Sequence, residues 1–269
     1  MDLVKRLFQY GVPPWVMRFV KTIGKGINKF DMIRSEEKVL LGVSGGKDSL
    51  ACALALALRK RWLPIDYELE AMMIEWEEHP PTEQERQKLY DFFDAIGVPL
   101  AIHRATMFPD SFQNTFNCYL CSRNRKRILF NEAGKRGITR IALGHHMDDI
   151  IETTLMNICF QGHVATMLPV QEFFQGKLHI IRPMCEVKAN TVERVVERLD
   201  IPTFKISCPF HETNLREKLR PIISELAHIN KHVRENIYAA PWNIIPEYLP
   251  EKDTAPRAHA QSTRKRMNK

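Results

Sequence analysis

The sequence predicts an α/β protein on a doubly wound, mostly parallel five-stranded sheet, with helices added at its N- and C-terminal ends. Three observations carry that expectation. Short apolar runs alternate with helix-length segments from Val39 to about Leu199, the pattern of β–α–β units with right-handed crossovers. The first run, Val39 to Val43, stops at Ser44-Gly45-Gly46 and passes directly into an alanine- and leucine-rich helix. Three chemically unusual segments, 44–49, 75–79 and 144–149, each follow an apolar run, where the ligands of parallel sheets bind.

Residues 1–33 read as a helical N-terminal segment. Leu3, Val4, Leu7 and Phe8, then Trp15, Val16, Phe19 and Val20, alternate with Lys5, Arg6, Arg18 and Lys21. Pro13-Pro14 divides the segment into two short amphipathic helices, expected to pack on the sheet. The main domain is placed at 34–250. After the first strand and its helix to near Arg61, Leu69 to Ile74 reads as a second strand and Glu75 to Pro81 as a loop. Thr82 starts a charged amphipathic helix ending at Ile96, and Gly97-Val98-Pro99 leads into a third strand, Leu100 to His103. A turn-rich stretch, Met107 to Asn117, precedes a strongly basic helix from Ser122 to Ala133. Thr139 to Leu143 is the fourth strand, and Gly144 to Asp149 opens a helix running to about Phe160. His179 to Arg182 reads as a fifth strand or an edge hairpin, Thr191 to Leu199 as a helix, and Asn214 as the cap of a helix through about Asn230. Residues 251–269 have low hydrophobicity and high positive charge, the composition of a disordered tail.

The chain of 269 residues can bury a full core, and 44% hydrophobic with 26% charged residues is ordinary for a globular protein. No apolar run approaches a membrane span, and the start MDLVKRLFQYG has no secretory apolar core, so a cytoplasmic location is expected. The formal net charge of +7 points less strongly to nucleic acid than it first looks. Six Lys or Arg against one Asp lie from Lys252 onward, leaving only about +2 on the body. Any RNA argument therefore rests on local patches. Six cysteines in a chain of this length, without an export signal, speak for metal ligation or redox chemistry rather than a disulfide scaffold.

Ser44-Gly45-Gly46-Lys47-Asp48-Ser49 carries phosphate chemistry. Adjacent glycines let successive backbone N–H groups converge, and the helix start adds partial positive charge. Lys47 supplies a full charge, Ser44 and Ser49 supply hydroxyls, and Asp48 can contact Mg²⁺. The Walker A pattern is absent. Cys118-Tyr119-Leu120-Cys121 is half a zinc site, a redox dithiol or part of an iron–sulfur site, and no second cysteine pair completes a four-cysteine zinc site. Cys208, in a polar loop before Pro209, can join Cys118 and Cys121 around a [4Fe-4S] cluster with one iron open; zinc with His211 as fourth ligand is the rival. Cys52 and Cys159, among apolar helical residues, read as inert core thiols. Adjacent His145 and His146 point apart and cannot converge with Asp148 and Asp149 on one metal, while carboxylates at a helix start also serve as caps. Arg123, Arg125, Lys126 and Arg127 crowd the helix after the cysteine pair, either as a solvated face or as a nucleic-acid phosphate surface. Trp76 and Phe116 are candidates for stacking on a splayed base, or are core residues.

The loop resembles the PP-loop of the N-type ATP pyrophosphatases. Four stretches together, Ser44–Ser49, Cys118–Arg127, Gly144–Asp149 and Ile181-Arg182-Pro183, resemble the tRNA 2-thiocytidine synthetase family, with similarity from about Ile27 to Leu249. The resemblance implies that ATP adenylates a cytidine of the tRNA anticodon loop, most simply cytidine 32. Sulfur is then delivered through a [4Fe-4S] cluster on Cys118, Cys121 and Cys208. It implies ATP contacts at Ser44, Gly45, Gly46, Lys47, Asp48, Ser49, Met73 and Gly144, and a catalytic or Mg²⁺-holding role for Asp148 or Asp149. tRNA, a sulfur donor such as a cysteine desulfurase or free sulfide, and a second copy in a homodimer are the implied partners. The family often has another cysteine shortly after the third ligand; here Pro209, Phe210 and His211 follow, marking a divergent branch. Two other readings remain open at this point: a lysidine-type or amide-forming PP-loop ligase, and a non-enzymatic RNA-binding iron–sulfur sensor.

Overall fold

The computed structural model describes residues 1–62, 65–107, 118–204 and 215–250. Phe116, Cys208, Asn214 and the basic tail lie outside the described residues. The chain divides into two compact units, one of residues 1–146 and 169–212 and one of residues 147–168 and 213–269. Among the described residues no helix is long and apolar enough to cross a membrane.

The first unit holds helices α1 (Asp2–Gln9) and α2 (Pro14–Lys29), followed by strand β1 (Lys38–Val43) and helix α3 (Lys47–Lys60). Strand β2 (Glu68–Trp76), helix α4 (Glu83–Ile96), strand β3 (Leu100–Ala105), helix α5 (Cys118–Lys135) and strand β4 (Arg140–Leu143) come next. After the chain returns from the second unit, β5 (Val170–Phe173), β6 (Leu178–Ile181) and α7 (Ala189–Arg198) complete it. The sheet order is β3-β2-β1-β4-β6-β5. All pairings are parallel except β5 with β6, where Val170 faces Ile181 and Phe173 faces Leu178.

The sheet thus has six strands rather than the expected five. The extra strand, Val-Gln-Glu-Phe, is too short and too polar to stand out in the sequence. It forms because Phe174, Gln175 and Gly176 all take positive φ, reversing the chain so that the edge is closed by a hairpin.

Side-chain alternation gives the sheet two apolar faces. On one, Leu40, Met72, Ile74, Trp76 and Ile141 meet Ile128, Leu129 and Ala133 of α5 in a buried cluster. On the opposite parity, Val39, Leu41, Val43, Ala71 and Met73 are buried, and α3 packs on β1 and β2. Helix α3 also touches α2, α4 and α7, which is why every residue from Ser49 to Arg59 is buried. Its run of alanines lets these neighbours approach closely. Arg59, buried among them, donates to Asn28 Oδ1 at 2.8 Å, and burial pushes its pKa below the ordinary value. A side chain on Gly24 would run into that guanidinium.

The second unit contains α6 (Met147–Met156), α8 (Leu215–Ile229) and α9 (Val233–Ala239). Met147, Ile151, Leu219 and Ile223 form its buried centre. Arg220 pairs with buried Glu152 at 2.8 Å, Arg216 with Asp149 at 3.6 Å, and Arg234 with Asp148 at 2.5 Å. Helix α6 passes into a π-helical turn, Asn157–Gln161. That turn rotates Cys159 to the surface, so it is an exposed thiol rather than the expected core residue. Cys52 is fully buried, as expected, and burial raises its thiol from 9.0 to about 12.

Candidate functional site

The strand order reverses between β1 and β4: β2 and β3 lie to one side of β1, β4 and β6 to the other. Parallel α/β sheets bind ligands at this switch point, beyond the strand C-termini. Residues 44–49 follow β1 there. Gly45 takes φ +77° and Gly46 an extended conformation ahead of the first turn of α3. The loop braces itself. Ser49 accepts a hydrogen bond from the Ser44 amide at 3.2 Å and donates to the Gly46 carbonyl at 2.9 Å, and the Gly46 amide donates to Ser44 Oγ at 3.4 Å. Ser49 is buried while Ser44 is exposed. The buried hydroxyl therefore shapes the loop, and Ser44, Gly46, Lys47 and Asp48 form its accessible rim.

Residues from elsewhere in this unit fix the rim. Gly144, directly after β4, lies against the first turn of α3, where a β-carbon would stand 2.7 Å from the Asp48 carbonyl oxygen. Buried His146 places Nε2 3.7 Å from Asp48 Oδ1. The Lys47 ammonium is ion-paired with Glu193 of α7. Phe204 donates its backbone N–H to the Gly45 carbonyl at 3.0 Å, and its ring covers the space a side chain on Gly45 would need. Glu193 and Phe204 were not legible as site residues in the sequence, since each meets the loop only through the packing of α7 beside α3.

At the end of β2 the structure corrects two expectations. Glu75 and Trp76 continue the strand instead of starting a loop. Glu75 is 3% exposed and bound by Arg86 at 3.0 Å and Arg104 at 3.1 Å, a structural ion triad. Trp76 is 1% exposed and sits in the core with the Arg125 guanidinium 5.5 Å from its ring, so it is not available for base stacking. Met73 is also buried, paired in register with Val43 next to the loop.

Of the three cysteines expected around a cluster, only Cys121 has a described side chain. It is half-buried near the start of α5 and packs against the apolar cluster on that sheet face. Among the described residues no three His, Cys, Asp or Glu side chains are placed to hold a metal ion. The four cations after the cysteine pair do not form one uniform face. Arg123 is exposed. Arg125 lies over Trp76, and Arg127 donates to Asn124 Oδ1 at 2.9 Å. Buried Asn124 in turn donates to the carbonyls of Thr106 and Met107, both at 3.3 Å, tying α5 to the end of β3. Lys126 is partly buried near Arg182, and both burial and that neighbour push its pKa down.

Comparison with known proteins gives this geometry its context. Residues 17–224 match the model of the PP-loop domain family. The chain is 32% identical over 252 residues to the tRNA-cytidine(32) 2-sulfurtransferase of Burkholderia multivorans, covering 91% of this chain and 75% of the relative. It is 31% identical to the protein of that name from Burkholderia ambifaria, over 91% of this chain and 73% of the relative. Among solved structures, the U34-tRNA thiolase NcsA from Methanococcus maripaludis, determined with its [4Fe-4S] cluster, superposes with a TM-score of 0.70. That match has 20% identity and covers 88% of this chain and 80% of NcsA, which identifies the shared fold.

Proposed function

The chain belongs to the PP-loop family of tRNA-cytidine(32) 2-sulfurtransferases, and on that premise we propose that it thiolates tRNA at the expense of ATP, converting a cytidine, position 32 of the anticodon loop, to 2-thiocytidine. The observation that carries this reading is the loop 44–49: a glycine cradle at the sheet's switch point, opening a helix, with Lys47 at its rim. Such a loop suits a polyphosphate.

In this reading the base carbonyl oxygen attacks the α-phosphorus of ATP and pyrophosphate leaves. Lys47 and the N–H groups at the start of α3 stabilise the charge on the departing phosphates. Asp48 would hold Mg²⁺, which would offset the negative charge of the phosphates. Met73 and Gly144 shape the nucleotide side of the loop, Met73 through its backbone because its side chain is buried. A [4Fe-4S] cluster on Cys118, Cys121 and Cys208 would supply the sulfur, which bonds to C2 of the base as the C2–O bond to AMP breaks. Arg123, Arg125, Lys126 and Arg127 draw tRNA phosphates toward the cysteine pair. One of Asp148 and Asp149, paired in the structure with Arg234 and Arg216, supplies a carboxylate to the reaction, and Asp149 would hold Mg²⁺. The sulfur comes from free sulfide, or from a cysteine desulfurase whose persulfide sulfur a thiol reductant brings to the sulfide level with two electrons, and the protein works in the cytoplasm as a homodimer.

Mass spectrometry of tRNA nucleosides tests the reading. A strain lacking the protein is expected to lose 2-thiocytidine, regain it with the wild-type chain, and fail to regain it with Cys121→Ala. A nucleoside profile unchanged by the deletion would refute the proposed target.

A further inference from the structure

Glu193 has no part in the reaction as proposed, yet its carboxylate pairs with Lys47, the one full positive charge of the loop motif. Helix α7 packs beside α3, and six residues beyond the end of α7 the chain returns to the loop, with Phe204 bonded to and covering Gly45. One stretch of chain therefore touches the loop at two points, so the Glu193 carboxylate is positioned by the scaffold and not merely by a long side chain reaching across solvent. Both members of the pair remain accessible, Lys47 at 38% and Glu193 at 47% of the side chain, so an incoming polyphosphate can reach the ammonium.

We propose that Glu193 is a resident counter-anion for Lys47, occupying the ammonium in the nucleotide-free protein and yielding it to phosphate, and that it thereby sets the affinity for ATP and pyrophosphate. This rests on the reading of residues 44–49 as an ATP site. The physical reason is competition. Lys47 cannot pair fully with a carboxylate on α7 and with a phosphate over the loop at once, and a carboxylate beside a polyanion repels it. A loop lysine without such a competitor would hold pyrophosphate longer after the first step, and the reaction needs that product to leave. Glu193 is thus an affinity-setting residue and not a catalytic one.

Equilibrium titration of the full-length protein with pyrophosphate, and with Mg²⁺ and non-hydrolysable α,β-methylene-ATP, tests this without turnover. Glu193→Gln is expected to bind both about three- to tenfold more tightly at low ionic strength, with the gain narrowing as salt rises. Glu197→Gln, which removes the same charge from another exposed position of α7, is expected to bind as the wild type. In a Lys47→Met background the gain from Glu193→Gln should shrink. Unaltered thermal unfolding of Glu193→Gln confirms that affinity alone has changed. Equal or weaker binding by Glu193→Gln overturns the proposal, as does an equal gain with and without Lys47, since the effect would then be simple surface charge. Failure of the wild type to bind either probe would instead refute the ATP reading, and the counter-anion with it.

Discussion

The α-carbon of Gly144 lies so close to the first turn of α3 that a β-carbon on it would stand 2.7 Å from the Asp48 carbonyl oxygen and 2.8 Å from the Ser49 amide nitrogen. Backbone meets backbone here, and neither side can yield without moving the loop. Gly144→Ala is therefore expected to cost about 1–3 kcal/mol, as overpacking does, and to weaken nucleotide binding at the same time. Urea unfolding and a nucleotide titration of one preparation check both. Unchanged stability would mean that β4 and α3 can separate at no cost.

Cys52 and Cys159 make an internal contrast. At pH 8, Cys159 is expected to react with a thiol reagent in the native protein, while Cys52 labels only after denaturation. Burial raises the Cys52 pKa from 9.0 to about 12, so the native state keeps a proton that the unfolded chain loses first. Stability should fall as pH rises between those values, by up to about 1.4 kcal/mol per pH unit from this group. Tyr67, whose hydroxyl donates to the Leu56 carbonyl at 2.7 Å and whose pKa burial also raises, acts in the same direction. Unfolding of Cys52→Ala over this range should show a shallower slope than the wild type.

Glu75 is bound by two arginines and almost wholly buried. Glu75→Ala leaves Arg86 to its remaining partner, exposed Glu83, and is expected to destabilise by about 1–3 kcal/mol, the usual cost of removing a charged hydrogen-bond partner from a buried group. Denaturant unfolding measures it. Full stability combined with lost pyrophosphate release would move Glu75 from scaffold to chemistry.

Lys126 separates stability from binding. Its ammonium is disfavoured by burial and by Arg182, so Lys126→Met should raise Tm by about 1–2 °C. The same change should weaken tRNA binding and lower its salt dependence by close to one counterion. A thermal melt and a filter-binding series at several salt concentrations check the two halves separately.

The α/β architecture was legible because β1, β2 and β4 are continuous apolar runs and α3 starts on a glycine turn. The loop 44–49 and Gly144 were legible for the same local reason: their backbone demands are written in glycine. What could not be read depends on contacts far apart in sequence. Val170–Phe173 is a strand only because β6 lies beside it. Glu193 and Phe204 belong to the site only because α7 packs against α3. Trp76 looked like a loop aromatic because Glu75 precedes it, and it is core because two arginines neutralise that carboxylate and let β2 continue.

That burial of Trp76 gives the protein a built-in optical gauge. Of its four tryptophans, Trp62 and Trp242 are exposed and Trp15 is partly so, leaving Trp76 as the single indole sealed from water. Its emission is expected to form the blue-shifted component of the spectrum, and the Arg125 guanidinium beside the ring comes from α5, the helix that begins with the cysteine pair. Any shift of that helix would change the electric field on one identifiable chromophore, so the colour of the protein's own light is expected to follow the position of its cysteine-bearing helix.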